Sequence, residues 1–308
     1  MKRVLITGSD GMLGRAVCKK FRSTNVDLIE SNRSKIDLRN SVETFKFFSE
    51  QKPDLVVHCA ALVGGIHANV IGGAKYFLEN ITIDNSVLNA SRALGVKELI
   101  YIGSSCIYPR NIDYPLKEND ILGGSLEPTN QNYALAKIFG TYLTKSISIQ
   151  DDLNWRVFIA SNLYGPNDHF DNEKSHLLAA IISKAVAAKI SQSKYIEMWG
   201  DGTPQREFTY VEDFADWILF SSYFLDKLPH VLNVGIGVDY SVHDYYKKVL
   251  ATLELDIKIV SNAIMPNGNR RKLMDSSLAK SFGWNPTTGI EVGIAKTVDW
   301  YLNHRSVV

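Results

Sequence analysis

Tyr133 and Lys137, four residues apart in a helical stretch, place a phenol and an ammonium on one helix face about one turn from each other. A cation beside a phenol favours phenolate, so the spacing predicts a tyrosine whose pKa falls toward working pH and which trades a proton with a carbonyl. Ser104, in Ile102-Gly103-Ser104-Ser105-Cys106, stands at the carboxyl end of an apolar run, where open α/β sheets build their sites. Near the N-terminus Val4-Leu5-Ile6-Thr7 runs into Gly8-Ser9-Asp10-Gly11-Met12-Leu13-Gly14, a GxxGxxG turn between a short strand and a helix. Gly8 permits the sharp turn, Gly11 lets backbone N–H groups approach a pyrophosphate, and Gly14 lets helix pack on strand. A dinucleotide there, with a serine, a tyrosine and a lysine around its nicotinamide, makes a hydride-transfer site. At the end of the second apolar run an acid would select NAD and a basic group NADP. The sequence there is Ser31-Asn32-Arg33, which favours NADP with Arg33 as the phosphate's cation.

These residues need a scaffold, and the first half of the chain supplies its pattern. Short runs rich in Val, Ile and Leu alternate with amphipathic stretches, as repeated βαβ units around a buried parallel sheet require. Strands are expected near 4–7, 27–30, 55–59, 98–102 and 156–160, and helices near 12–21, 41–49, 73–94 and 132–149, with Gly95 ending the third helix. After Gly165-Pro166 the sequence turns polar and turn-rich, with one helix expected near 175–189. The fold expected is α/β: a Rossmann-type doubly wound parallel sheet over 1–165, rejoined by a segment near 207–242, and a smaller mixed α/β substrate domain over 166–308.

The 308 residues carry 34 basic and 33 acidic side chains, a net charge of +1, so no overall field draws the protein to nucleic acid or to a membrane surface. No apolar run reaches membrane-spanning length and the N-terminus lacks a signal-peptide pattern, which makes the cytoplasm the expected location. Cys18, Cys59 and Cys106 have neither metal nor redox spacing, and no metal is expected. Cys18 and Cys59 read as small apolar packing residues. The basic run Arg270-Arg271-Lys272 reads equally as a solvated face or as part of a site.

Gly8, Gly11, Gly14, Ser104, Tyr133 and Lys137 together resemble the extended short-chain dehydrogenase/reductase superfamily. Five longer strings narrow the resemblance to the GDP-L-fucose synthase family: Val63-Gly64-Gly65-Ile66, Gly103 to Pro109, Leu126 to Asn130, Asn162 to Pro166 and Gly202 to Phe208. The resemblance implies NADPH-dependent 3,5-epimerisation and 4-reduction of a GDP-linked 4-keto-6-deoxy sugar by a homodimer formed through the helices after the third and fourth strands. It implies that Ser104, Tyr133 and Lys137 are the reductase triad and that Cys106 and His176 are the groups that invert C3 and C5. Chemistry agrees, because a 4-ketone acidifies both neighbouring C–H bonds. The resemblance extends the cofactor site to Met12, Leu13, Ala60 and His176 beside Gly8, Gly11, Gly14, Arg33, Tyr133 and Lys137. It assigns the nucleotide sugar to Asn162, Lys184, Trp199, Arg206 and Lys272. Asp10 departs from the pattern: some family members carry arginine there to grip the NADP phosphate, and an inward carboxylate would repel it. A 4,6-dehydratase would need an Asp-Glu pair where Ser105-Cys106 stands, and a simple 4-epimerase has no use for Cys106 and His176. The remaining alternatives are a 4-reductase for a related GDP-4-keto sugar, such as a 6-deoxy-heptose already epimerised elsewhere, and a redox-sensing binding protein that has lost catalysis.

Overall fold

Apolar runs that alternate with amphipathic stretches become strands buried on both faces and helices that cover them. The structure, a computed structural model, describes residues 1–308 except 113, 172–174, 263, 265–268 and 305–308, and only the backbone of 66 and 67. The first half runs β1 (Arg3–Thr7), α1 (Met12–Arg22), β2 (Asp27–Ser31), α2 (Ser41–Gln51), β3 (Leu55–His58), α3 (Ile66–Ile71), α4 (Gly73–Ala93), β4 (Glu98–Ser104), α5 (Gln131–Gln150) and β5 (Asn154–Ala160). The second half runs β6 (Asn162–Tyr164), α6 (Leu177–Ile190), β7 (Tyr195–Trp199), β8 (Gln205–Tyr210), α7 (Val211–Ser221), β9 (Val231–Val234), β10 (Asp239–Ser241), α8 (Val242–Thr252), β11 (Lys258–Asn262), β12 (Arg271–Lys272), α9 (Ser277–Ser281) and α10 (Ile290–His304).

The main sheet is six-stranded and parallel, in the order β2-β1-β3-β4-β5-β9. Its strand order reverses between β1 and β3, the switch point at which doubly wound sheets open a ligand crevice. Residues alternate between its two faces: Leu5, Val56, Leu99 and Tyr101 share a core with Val87 of α4 and Ile138 of α5, whereas Val4, Ile6, Val57 and Ile100 share one with Val17 of α1 and Phe214 of α7. The observed elements agree with the expected ones to within three residues at either end. The strand expected to include Cys59 stops at His58, and α4 closes before Gly95, whose φ of +69° suits glycine. Ile36 and Leu38 are buried without forming a strand.

Beyond Ala160 two smaller sheets appear, one with the path β10-β8-β12 and β6 paired to β8, the other β11-β7. A third core packs α6, α8 and α10 against them through Ile181, Tyr245, Val249 and Ile294. Within this half α7 joins the core of the main sheet and β9 extends its edge beside β5. Among the described residues no helix is long and apolar enough to cross a membrane.

Candidate active site

The glycine turn sits where β1 ends. Gly8 has φ +65°, and a Cβ there would stand 2.7 Å from Ala60 Cα, while one on Gly14 would stand 2.0 Å from the Gly8 carbonyl oxygen. Both positions therefore require glycine. Gly11 caps α1 with no side-chain hydrogen bond, so the N–H groups at the start of the helix, around Met12 and Leu13, remain available to an anion. This cradle fits a dinucleotide pyrophosphate.

At the end of β2 the structure answers the question raised by Asp10. Its carboxylate accepts from Asn32 Nδ2 at 2.9 Å and its carbonyl from Arg15 Nε at 2.8 Å, while Glu30 is paired with Arg22. Arg33 reaches Glu79 at 3.4 Å and keeps a largely exposed side chain. Arg39, which the sequence did not single out, reaches the same carboxylate at 3.4 Å, so two guanidinium groups converge near the strand end.

Ser104 closes β4, and its Oγ accepts from the Cys106 amide at 3.4 Å, starting a single 3-10 turn over Ser105–Ile107. Tyr133 lies in the first turn of α5. A cavity of about 820 Å³ opens here, with Ser104, Cys106 and Tyr133 on its wall together with Asn162, His176, Lys184, Trp199, Arg206 and Lys272. Every residue expected to touch the sugar nucleotide thus meets the expected proton-transfer groups in one space. The glycine turn, Arg33, Ala60 and Lys137 are not on that wall. The wall also carries Asn69, Glu127, Asn130, Tyr246 and Asn269, none of which was expected there. Asn69 is buried, donates from Nδ2 to the carbonyls of Gly64 at 2.7 Å and Gly65 at 3.0 Å, and leaves Oδ1 without a hydrogen-bond partner. Nothing local marks it, since an asparagine in a short helix is ordinary until the fold turns it to a cavity.

Strand alternation divides the basic run. Arg271 pairs with Asp239 at 2.6 Å, whereas Lys272, its neighbour in β12, faces the cavity. Lys184 Nζ lies 4.8 Å from the Trp199 ring centre, whose indole N–H donates to Glu197 at 3.3 Å. Burial pushes Lys184, Arg206 and Lys272 down from their ordinary values, with Glu197 supporting the first and Glu127 the other two. Such a cationic wall favours a ligand with closely spaced negative charges, as in a diphosphate.

Lys137 stands differently from expectation. Its Nζ donates to the Tyr101 hydroxyl at 3.1 Å and to the Ile102 carbonyl at 3.0 Å, and lies 4.6 Å from the Tyr101 ring centre. The Tyr133 phenol is held well above its ordinary value by burial first, then by Cys106 and Asp84, and only a hydrogen bond with Ser104 opposes this. The spacing alone had the lysine lowering the tyrosine; in the fold burial is the largest influence and raises it. Burial likewise raises the Cys106 thiol against the pull of Lys272, Ser104 and Lys137, and burial lowers the His176 imidazole with help from His169. Near neutrality the two sit as thiol and neutral imidazole. Cys18, also buried, is pushed up to about 12, as an inert packing thiol should be.

The NAD dependent epimerase/dehydratase family matches residues 4–235. GDP-L-colitose synthase of Yersinia pseudotuberculosis is 37% identical over 305 residues, covering 99% of both chains. GDP-L-fucose synthase of Azorhizobium caulinodans is 39% identical over 306 residues, covering 99% of this chain and 98% of its own. Among solved structures, a GDP-6-OMe-4-keto-L-xylo-heptose reductase from C. jejuni superposes with a TM-score of 0.93 at 30% identity, over 98% of each chain. A GDP-mannoheptose C4 reductase from Campylobacter jejuni with NADP bound gives 0.88 at 30% identity, again over 98% of each.

Proposed function

The chain belongs to the NAD dependent epimerase/dehydratase family, and from that premise we propose that it is an NADPH-dependent 3,5-epimerase and 4-reductase of a GDP-linked 4-keto-6-deoxy sugar. The observation that carries this reading is the single cavity in which Ser104, Cys106, Tyr133 and His176 share a wall with the three cations Lys184, Arg206 and Lys272. NADP in a relative's structure and the Gly8–Gly14 cradle support the cofactor. In our reading residues 1–165 with 207–242 hold the cofactor, residues 166–308 hold most of the sugar nucleotide, and the enzyme works in the cytoplasm as a homodimer. Leu78 on α4 with Tyr142 and Ile149 on α5, all exposed, support the dimer contact.

The cofactor supplies a hydride to C4. The chain's own groups handle the protons. Lys184, Arg206 and Lys272 fix the diphosphate, and Trp199 offers an aromatic face to the base. Cys106, in its thiolate form, takes the proton from carbon beside the ketone, and His176, in its protonated form, returns one from the opposite face, which inverts the centre. Ser104 holds the C4 oxygen and Tyr133 protonates it as the ketone becomes an alcohol. Incubation with NADPH and GDP-4-keto-6-deoxy-mannose, with NMR of the product, tests the reading: a C3- and C5-inverted, C4-reduced sugar supports it. A product reduced at C4 with its other centres intact supports the second reading, a 4-reductase for a related GDP-sugar. The heptose reductase likeness and the raised Cys106 thiol favour that alternative.

Cofactor choice gives a separate prediction. NADPH should be preferred over NADH, and Arg33→Ala should reduce the NADPH/NADH ratio of kcat/KM roughly tenfold, the low end of what a charge-assisted hydrogen bond contributes, because Arg39 remains nearby. An unchanged ratio, or a wild type that prefers NADH, removes Arg33 from the phosphate site.

A further inference from the structure

Behind the cavity wall a chain of buried hydrogen bonds crosses the sheet from the glycine turn to Lys137. The Ala60 amide donates to Thr7 Oγ1 at 3.2 Å, and Thr7 Oγ1 lies 2.7 Å from His58 Nδ1. His58 Nε2 lies 3.1 Å from Asp84 Oδ1, the Tyr101 hydroxyl donates to Asp84 Oδ2 at 2.6 Å, and Lys137 Nζ donates to the Tyr101 oxygen at 3.1 Å. Asp84 and Tyr101 are fully buried, and Lys137 is 4% exposed. The donor inventory orders the protons. An ammonium only donates, so the Tyr101 oxygen accepts from Lys137 and spends its own proton on Asp84. Asp84 therefore accepts from Tyr101 on Oδ2 and pairs with His58 Nε2 through Oδ1, and His58 Nδ1 pairs in turn with Thr7. Lys137 and Asp84 are thus an ion pair bridged by a phenol, with each partner's charge balanced inside the fold.

A second observation points to the same device. Helix α5 carries Gly140 in its interior, where a Cβ would stand 2.1 Å from the Tyr101 hydroxyl and 2.5 Å from Asp84 Oδ2. The helix gives up a side chain where the carboxylate and the phenol meet.

We propose that Asp84 and Tyr101 are positioning residues for ketone reduction: they hold Lys137 charged and in place, and so set how readily Tyr133 parts with its proton. The proposal rests on Ser104, Tyr133 and Lys137 being the reduction site. The groups that bear on Lys137 are Tyr101 and the Ile102 carbonyl of β4, Asp84 of α4 through Tyr101, and the thiols of Cys59 and Cys106, which feel its charge. Those that bear on Tyr133 are Ser104, Cys106 and Asp84. Without the Tyr101 hydroxyl the ammonium loses an acceptor and its bridge to Asp84, so the cation available to a forming phenolate weakens. Tyr133 then ionises at higher pH.

The test is Tyr101→Phe, which removes one oxygen and keeps the ring, with Asp84→Asn beside it. In Tyr101→Phe the kcat for ketone reduction should fall about tenfold, a fraction of what a positioned acid contributes, with KM for the nucleotide sugar little changed. For the reverse oxidation of the alcohol by NADP, which needs the phenolate, the rise of rate with pH should move to higher pH by about one unit. Asp84→Asn removes the same bridge but also the carboxylate charge that itself raises Tyr133, so its shift should be smaller than that of Tyr101→Phe. Tyrosine labelled with ¹³C at Cζ, with the Tyr133 signal assigned by its loss in Tyr133→Phe, reads the same shift by NMR in the NADP complex without turnover. A folded Tyr101→Phe protein with an unmoved pH profile and an unmoved Tyr133 titration overturns the proposal. So does a lower Tm and lower kcat with no change in either titration, since that is what mere packing would give. If wild type reduces no GDP-4-keto sugar, the functional reading fails and the NMR titration alone judges the network.

Discussion

Tyr133→Phe is expected to lower kcat for ketone reduction by roughly 10²- to 10⁴-fold, about 3 to 5 kcal/mol of barrier, while NADPH binds with little change. In the proposed reading the phenol on the cavity wall is the proton donor, and burial holds it well above its ordinary value, so it stays protonated through the physiological range. Phenylalanine keeps the ring and the packing against α5 and β4 and removes only the proton. The loss should therefore appear equally in kcat and kcat/KM, as it does for an interaction made in the transition state. Stopped-flow oxidation of NADPH with a GDP-4-keto sugar measures it. A variant that turns over at the wild-type rate removes Tyr133 from the chemistry and leaves the cavity as a binding site.

Solvent deuterium separates the two readings of the enzyme with the next largest effect. Epimerisation exchanges carbon-bound hydrogen with solvent and hydride transfer does not, so the bifunctional enzyme in D₂O should label C3 and C5 of its product. Cys106→Ser should abolish the label, because a hydroxyl is a far weaker base than a thiolate, while reduction of an already epimerised ketone continues on Ser104, Tyr133 and Lys137. Since burial raises the Cys106 thiol, its thiolate fraction near neutrality is small and climbs about tenfold per pH unit. Labelling should accordingly accelerate from neutral toward alkaline pH, over a range in which reduction by the still-protonated Tyr133 stays flat. His176→Asn should slow reprotonation and give label without complete inversion. A wild type that reduces its best substrate with neither carbon labelled leaves Cys106 and His176 as positioning groups in a 4-reductase.

Local patterns carried much of this protein's reading. The GxxGxxG turn is legible because Gly8 and Gly14 answer to contacts within one βα unit and its adjoining strand, where a side chain would collide with backbone. The alternation of apolar runs and amphipathic helices is legible because a sheet buried on both faces demands it along every strand. Tyr133 and Lys137 are legible as a pair because helical spacing puts them on one face. What each does there is not, because electrostatics answer to groups far away in the chain. Tyr101 reads as one more apolar strand position, yet its hydroxyl joins Lys137, 36 residues on, to Asp84, 17 residues before. The basic run at Arg270 is one feature in sequence and two in space, since β12 sends Arg271 to Asp239 and Lys272 into the cavity. Arg39 joins Arg33 only because both reach Glu79 on α4, and Asp10 is turned to Asn32 by the packing of two strand ends. Sequence order fixed which groups the site has at hand, and burial and long-range pairing decided their charges and the directions they face.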